Sequence, residues 1–170
     1  MAIQTNGCGG SSATVLRGDV VAIVTGGSVG AGREIAYGLA GWGWAIVVVY
    51  LGHQPTAEAA VGEILAADGK VVAVRADLGD DLDVERLFAE SSAAFGGVDV
   101  VVHTTTDSAS LLYQQAARRV RRRGAILSVA PAESLAPGVA REAGERHISV
   151  GRTAPEGVLA FLEKWRQHVC

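Results

Sequence analysis

The sequence has few cysteines and no long apolar run. Cys8 and Cys170 are the two cysteines of the 170-residue chain, and their positions form no recognisable disulfide framework or metal-ligand cluster. We expect both to be free thiols. No stretch reaches the roughly 18 uninterrupted apolar residues of a membrane span, and the first residues lack a basic region followed by an apolar one. The sequence therefore predicts a cytoplasmic protein without a membrane partner.

Strong charge of either sign is also absent. Fifteen Lys and Arg residues against 18 Asp and Glu residues give a net charge of −3, which argues against a general affinity for nucleic acid. The arginine-rich run 118–123 could suggest an RNA-binding patch, but no aromatic stacking platform accompanies it. At the end of a predicted helix over residues 110–123, these cations would complement the helix dipole. We therefore expect a small-molecule substrate and no nucleic-acid partner.

The composition predicts one compact domain. Hydrophobic residues make up 49% of the chain, and a chain of this length buries roughly 70% of the surface that its unfolded form exposes. Residues 1–18 are rich in glycine and serine, which favours a flexible N-terminal arm. The domain would then occupy residues 19–170.

Apolar runs of strand length alternate with amphipathic stretches of helical length. The first four runs are residues 20–24, 44–50, 71–74 and 98–102. Continuous apolar runs are typical of parallel strands that are buried on both faces. Their alternation with helices predicts right-handed crossovers and an α/β fold, a Rossmann-like doubly wound parallel sheet. The pattern continues with strands over 125–129 and 147–150 and a last helix from about Pro155.

A glycine-rich turn, residues 25–32, lies between the first strand and the first helix. Its sequence is Thr-Gly-Gly-Ser-Val-Gly-Ala-Gly. Glycines let the backbone approach a pyrophosphate closely, and a helix N-terminus offers free amides and a positive dipole end. A purely structural turn is the alternative. Directly between a strand and a helix, the pattern predicts phosphate binding.

The turn and two later motifs resemble the short-chain dehydrogenase/reductase family. The family pattern Thr-Gly-x-x-x-Gly-x-Gly is matched at four positions of the turn, Asp77-Leu78 resembles the family's adenine-binding position, and residues 98–102 resemble its fourth strand. The resemblance is close over residues 19–102 and weaker beyond. It implies a dinucleotide cofactor contacted by Thr25, Gly26, Ser28, Gly30, Gly32, Asp77 and Leu78.

The end of the second strand bears on which cofactor binds. An NAD site usually has a carboxylate there to accept from the ribose hydroxyls, whereas this chain has Val49-Tyr50-Leu51-Gly52-His53. NADP(H) is therefore favoured over NAD(H) if either binds. No arginine follows to hold a 2′-phosphate, so the absence of any cofactor stays an alternative.

The family's catalytic pair is missing. The tyrosines are Tyr37, Tyr50 and Tyr113, the lysines are Lys70 and Lys164, and no tyrosine has a lysine four residues later. Where the family has Asn-Asn-Ala-Gly after the fourth strand, residues 103–106 are His-Thr-Thr-Thr. Glycine there lets the chain pass close to the nicotinamide ribose, whereas β-branched threonines would crowd that space. The segments after the fourth and fifth strands are also short, so the chain reads as a truncated member of the family.

Three polar residues at the carboxyl edge of the sheet are candidates for chemistry. His103 could give or take a proton near neutrality, Asp107 could orient it, and Ser128 lies close to the family's catalytic serine. A hydrogen-bonded structural histidine and a polar strand cap are the alternatives.

Three functions follow from these features. The first is an NADP(H)-dependent reductase of a small metabolite in which His103 replaces the tyrosine. The second is a non-redox acid/base enzyme such as a cyclase, dehydratase or isomerase, and the third is a non-catalytic ligand- or partner-binding protein. The missing segments build the family's common oligomer contact, so any homo-oligomer would use a non-standard interface.

Overall fold

The computed structural model describes residues 19–129 and 135–169. Six parallel strands form one sheet in the order β3-β2-β1-β4-β5-β6. The strands are β1 Val21–Thr25, β2 Ala45–Tyr50, β3 Lys70–Arg75, β4 Val98–His103, β5 Val120–Ser128 and β6 Ser149–Arg152. The predicted doubly wound parallel sheet is confirmed. The predicted N-terminal arm, Cys8 and Cys170 lie outside the described residues.

The connections between strands are helical. The helices are α1 Gly30–Gly41, α2 Gln54–Ala66, α3 Asp81–Phe95, α4 Ser110–Arg119, α5 Pro137–Glu145 and α6 Val158–Val169. A 3₁₀ turn, Pro155–Gly157, leads into α6, which agrees with the helix start expected near Pro155. Helix α5 was not predicted from the sequence. Within the described ranges, no helix is long and apolar enough to cross a membrane.

The continuous apolar runs give the sheet two buried faces. Val21 and Ile23 belong to a core with α3, α4 and α5. Ala22 and Val24, on the alternate positions, belong to a second core with α1, α6 and the end of α2. Successive strand side chains point to opposite faces, so a strand between two helical layers must be apolar throughout. This is why every residue of β1 is buried.

The prediction for the arginine-rich run was correct for two arginines and wrong for three. Arg118 and Arg119 lie in the last turn of helix α4, whereas Arg121, Arg122 and Arg123 lie in β5 rather than at a helix end. Val98 pairs with Val120 and Val100 with Ala125, so residues 121–124 form an irregularity opposite one residue of β4. Arg123 there has a φ of +64°.

Ion pairs take up several of these cations. Arg118 pairs with Glu142 at 3.3 Å, Arg119 with Glu85 at 3.3 Å, and the Arg121 Nη1 donates to Asp99 Oδ2 at 3.0 Å. These ion pairs therefore connect α4 to α5 and α3, and β5 to β4.

Asp99 joins the two central strands at their amino ends. Its side chain is 2% exposed, and Oδ2 accepts from the Val21 amide at 2.9 Å as well as from Arg121. A buried carboxylate requires such donors, because leaving it unpaired is costly. Asp99 thus fixes β1 against β4, the two strands whose opposite ends support the site described below.

Replacing Asp99 with alanine tests this role. Asp99→Ala removes the acceptor of the Val21 amide and of the half-exposed Arg121, so we expect the free energy of unfolding to fall by about 2–4 kcal/mol. Asp19→Ala is the control, because Asp19 forms an exposed pair with Lys70 and should change stability by less than about 1 kcal/mol. Urea denaturation of both variants measures the difference. Equal, small losses would show that Asp99 has no such role.

Candidate nucleotide-binding site

The turn after β1 requires glycine at two positions that contact each other. Gly26 has a φ of +63°, and its amide donates to the Val49 carbonyl at 3.1 Å. A Cβ on Gly32 would collide with the Gly26 carbonyl, and one on Gly26 would lie 2.7 Å from Thr105 Cγ2. The two glycines therefore let helix α1 start directly against the end of β1.

The N-terminus of α1 is open. The helix begins at Gly30, and its N-cap, Val29, contributes no side-chain cap hydrogen bond. No acidic residue lies in the first turn, and a Cβ on Gly30 would meet nothing within 4 Å. Free first-turn amides at the positive end of a helix dipole are a site for an anion. The geometry fits the phosphate-binding role predicted for this turn.

A cavity of about 440 Å³ opens beside the turn. Its walls come from the carboxyl ends of β1, β2 and β3 and from the connection after β4. In open α/β sheets, ligands bind at this edge, where the strand order reverses. The lining residues include Thr25, Gly26, Ser28, Leu51, Gly52, His53, Asp77, Leu78, Thr105 and Asp107.

The far wall of the cavity is the loop that follows β3. Asp77 Oδ1 accepts from the Gly79 amide at 2.8 Å, and the Asp77 amide donates to Asp83 Oδ2 at 2.9 Å. The Arg86 guanidinium, together with that amide, holds the pKa of the Asp83 carboxyl below its ordinary value. The lowered pKa keeps Asp83 ionised to a lower pH than an ordinary aspartate, so its hydrogen bond to the Asp77 amide is retained there.

The end of β2 carries no carboxylate on the cavity wall. Leu51, Gly52 and His53 line it, and His53 Nδ1 lies 2.8 Å from Thr56 Oγ1 at the start of α2. A 2′-phosphate would therefore meet no negative side chain at this wall. The preference for NADP(H) over NAD(H) stays a prediction.

His103 is buried behind the cavity instead of facing it. The residue is 1% exposed and is not among the residues that line the cavity. Its Nδ1 lies 2.9 Å from Thr25 Oγ1, its Nε2 lies 3.2 Å from the Asp107 carbonyl oxygen, and its ring packs edge-on against Tyr113. A carbonyl can only accept, so Nε2 carries a proton; in the neutral ring Nδ1 then accepts from the Thr25 hydroxyl.

This geometry favours the structural interpretation of His103. Both ring nitrogens are engaged with the protein, and Asp107 contacts the ring through its main-chain carbonyl, not through its carboxylate. The residue connects the end of β1 to the loop after β4. The sequence could not indicate this burial, because it depends on the position of α4. The proposed acid/base role of His103 and Asp107 stays a hypothesis.

Ser128 pairs with His103 in the sheet but lines a different cavity from the one beside the glycine-rich turn. It is 8% exposed and pairs with His103 across β4 and β5. Its hydroxyl has no hydrogen-bond partner among the described residues. The residue lines a second cavity of about 250 Å³ with Tyr113, Leu135 and Arg152. The structure thus separates Ser128 from the glycine-rich turn.

Thr104 contributes to the site in a way that sequence reasoning missed. Its hydroxyl donates to the Thr25 carbonyl at 2.5 Å, and its amide donates to Thr25 Oγ1 at 3.1 Å. Together with the hydrogen bond between Thr25 and His103, these contacts fix the carboxyl ends of β1 and β4 to each other. The signal in the sequence is a threonine at the end of β1, Thr25, and a threonine directly after the end of β4, Thr104, next to the residue that pairs with Thr25.

A family model places the chain in a known family. The model described as short chain dehydrogenase matches residues 20–122, which is more than half of the chain and includes the turn and the Asp77 loop. The chain belongs to the short-chain dehydrogenase/reductase family.

Curated relatives match the same region. An oxidoreductase from Methylorubrum extorquens is 41% identical over 85 residues, which are 50% of this chain and 34% of the relative. A 3-oxoacyl-[acyl-carrier-protein] reductase from Synechocystis is 37% identical over 83 residues, 49% of this chain and 34% of the relative. The chain thus covers about a third of the length of these relatives.

Solved structures share the fold. A Burkholderia cenocepacia dehydrogenase with bound NADP has a TM-score of 0.72 and 24% identity, over 80% of this chain and 68% of the other. A Sinorhizobium meliloti dehydrogenase/reductase has a TM-score of 0.64 and 28% identity, over 79% of this chain and 71% of the other. Both likenesses support the Rossmann-like assignment.

A substitution of His103 distinguishes its two interpretations. Asparagine cannot span from the Thr25 hydroxyl to the Asp107 carbonyl and leaves a gap beside Tyr113, so His103→Asn should lower the free energy of unfolding by about 2–4 kcal/mol. NADPH affinity per folded molecule should change little. His168→Asn, on an exposed residue of α6 that does not line the cavity, is the matched control. A variant with an unchanged melting temperature and a strong loss of function would instead support the acid/base role.

Proposed function

We propose that this chain is an NADP(H)-binding member of its family. The observation that carries the proposal is the uncapped N-terminus of α1, whose N-cap residue Val29 lines the 440 Å³ cavity together with Gly26 and Ser28. Amides at Gly30 and the residues next to it would hold the pyrophosphate, and Asp77 and Leu78 would hold the adenine. The missing carboxylate at the end of β2 favours NADP(H) over NAD(H).

A bound reduced nicotinamide would supply a hydride, but this sequence lacks the usual proton donor. Reduction of a carbonyl needs an acid matched to the developing alkoxide. Tyr113 is buried against His103, and neither lysine follows a tyrosine by four residues. We therefore propose that binding of the nucleotide, rather than standard ketone reduction, is what this chain supplies by itself.

The alternative of a non-redox acid/base enzyme was assigned to His103. The ring nitrogens of His103 are engaged with Thr25 and Asp107, so this geometry does not favour that alternative. Action on a small metabolite with a donor from substrate, water or a partner subunit stays the second candidate. A cytoplasmic location remains a prediction.

Two glycine substitutions test the binding site. Gly30→Ala adds a methyl group at the first residue of α1, where a Cβ meets nothing within 4 Å, and a bound pyrophosphate would have to accommodate it, so we expect NADPH affinity to fall at least about tenfold. Gly43→Ala is the matched control: Gly43 also has a positive φ, +83° against +51° at Gly30, and open space around a Cβ, but it lies at the amino end of β2. The strain in both variants should therefore be similar.

Thermal-shift titration with NADP⁺, NADPH, NAD⁺ and NADH provides the measurement. A ligand that binds the native state alone raises its stability by mass action, so NADP(H) should raise the melting temperature of the parent chain and of Gly43→Ala. The proposal would be wrong if none of the four raised it, or if Gly30→Ala kept the full response.

The missing proton donor predicts very slow ketone reduction. We expect oxidation of NADPH by simple ketones to be about a hundredfold to ten-thousandfold slower than in a family member with the tyrosine-lysine pair. Absorbance of reduced nicotinamide measures both rates under the same conditions. Turnover comparable to that enzyme would contradict the proposal and require another donor.

A further inference from the structure

The cavity at the carboxyl edge lies almost entirely on one half of the sheet. A doubly wound sheet consists of two mononucleotide-binding halves, and a dinucleotide binds across the point where the strand order reverses. That point lies here between β1 and β4. Residues after β1, β2 and β3 line the 440 Å³ cavity, and Thr105, Asp107 and Ser108 close its side towards β4. Among its lining residues, none belongs to β5 or β6.

The other half of the edge opens into a separate space. The 250 Å³ cavity is lined by residues of α4, β5 and β6 together with Leu135. The two sets of lining residues have no member in common. The connection after β4 lies between the two cavities, so a nucleotide in the first would have to pass over it to reach the second.

Hydrogen bonds and close packing hold that connection in place. Thr104 bonds to Thr25 through its amide and its hydroxyl, and the Asp107 carbonyl bonds to His103. Thr105 packs towards the turn, with its Cγ2 2.7 Å from where a Gly26 Cβ would stand. The Thr105 hydroxyl is buried and has no hydrogen-bond partner among the described residues. The Thr105 side chain therefore adds bulk beside Gly26 without adding a hydrogen bond to a described residue.

From this geometry we infer that the site recognises the adenosine-phosphate half of the nucleotide and leaves the nicotinamide ring in solvent. Thr105 is the barrier that keeps the ring out. The inference rests on the proposed nucleotide binding and restricts recognition to one half of the nucleotide. Adenosine phosphates without nicotinamide are therefore ligands of the same site. Affinity then comes from the amides of the turn and from the Asp77 loop.

Isothermal titration calorimetry on the full chain compares two ligands that differ at the ring. NADPH carries the nicotinamide, and 2′-phospho-ADP-ribose lacks it. We expect their Kd values to agree within about threefold, and NADPH at least tenfold tighter would overturn the inference while leaving the proposed function intact. Failure of both ligands to bind would overturn the proposed function, and the inference with it.

Substitutions at Thr105 test the barrier itself. Thr105→Ala removes the bulk together with a hydroxyl that makes no bond, so the fold should be retained. We expect this variant to gain affinity for NADPH by about threefold or more relative to 2′-phospho-ADP-ribose. Thr105→Val is the matched control, because it keeps the β-branched shape and should keep the parent ratio. Equal ratios in both variants would overturn the assignment of Thr105.

The fluorescence of reduced nicotinamide gives an independent readout. At saturation with the parent chain, the emission maximum of bound NADPH should match that of free NADPH, because the ring stays in water. A strong blue shift of that maximum would place the ring in an apolar environment and contradict the inference.

Discussion

The parallel alignment of β1 with β4 is the constraint on which the site depends. These strands are neighbours in the sheet but are separated by 78 residues along the chain. Asp99 fixes them at their amino ends, and the hydrogen bonds among Thr25, His103 and Thr104 fix them at their carboxyl ends. Each residue that lines the cavity lies at the carboxyl end of β1, of β2 or of β3, or in the segment that follows one of these strands or β4.

Both connections are polar and buried, which explains their effect on register. An apolar strand can slide along its neighbour at a modest cost in packing, whereas a buried carboxylate or imidazole must keep its partners. Asp99 and His103 therefore admit a single pairing of β1 with β4. The glycine-rich turn, which continues from Thr25, takes its place relative to Thr105 from that pairing.

The sequence predicted the elements whose signals are local. Fully apolar runs identified the first three strands, a run interrupted only by Asp99 identified the fourth, and the glycine spacing identified the turn at the start of α1. The boundary between α4 and β5 was missed because neither a glycine nor a proline marks the end of the helix at Arg119. The next glycine, Gly124, was taken as the residue that ends the helix. Within the irregularity at residues 121–124, Arg121 reaches Asp99 on a neighbouring strand. Such a contact leaves no mark in a local pattern.

The candidate site divides in the same way. Gly26, Gly30, Gly32, Asp77 and Leu78 were assigned from motifs. The structure places Gly26, Asp77 and Leu78 on one cavity, with Gly32 packed against Gly26 and Gly30 at the start of α1. His103, Asp107 and Ser128 were grouped because their strands end at one edge. Their surroundings differ, however: His103 is enclosed by Thr25 and Tyr113, whereas Ser128 borders another cavity. Enclosure depends on where α4 packs, which the sequence of the strand ends does not specify.

These features describe a family scaffold in which the glycine-rich turn is kept, and we propose that a nucleotide bound there does not reach the neighbouring half of the edge. Chemical-shift perturbation by NMR, with NADPH titrated into the labelled chain, tests this account most directly. The account predicts that amide shifts concentrate at residues 26–31 and 77–79 and are absent at residues 126–128 and 150–152. Shifts of equal size at Ser128 and Gly151 would show that the nucleotide spans both halves and would contradict it.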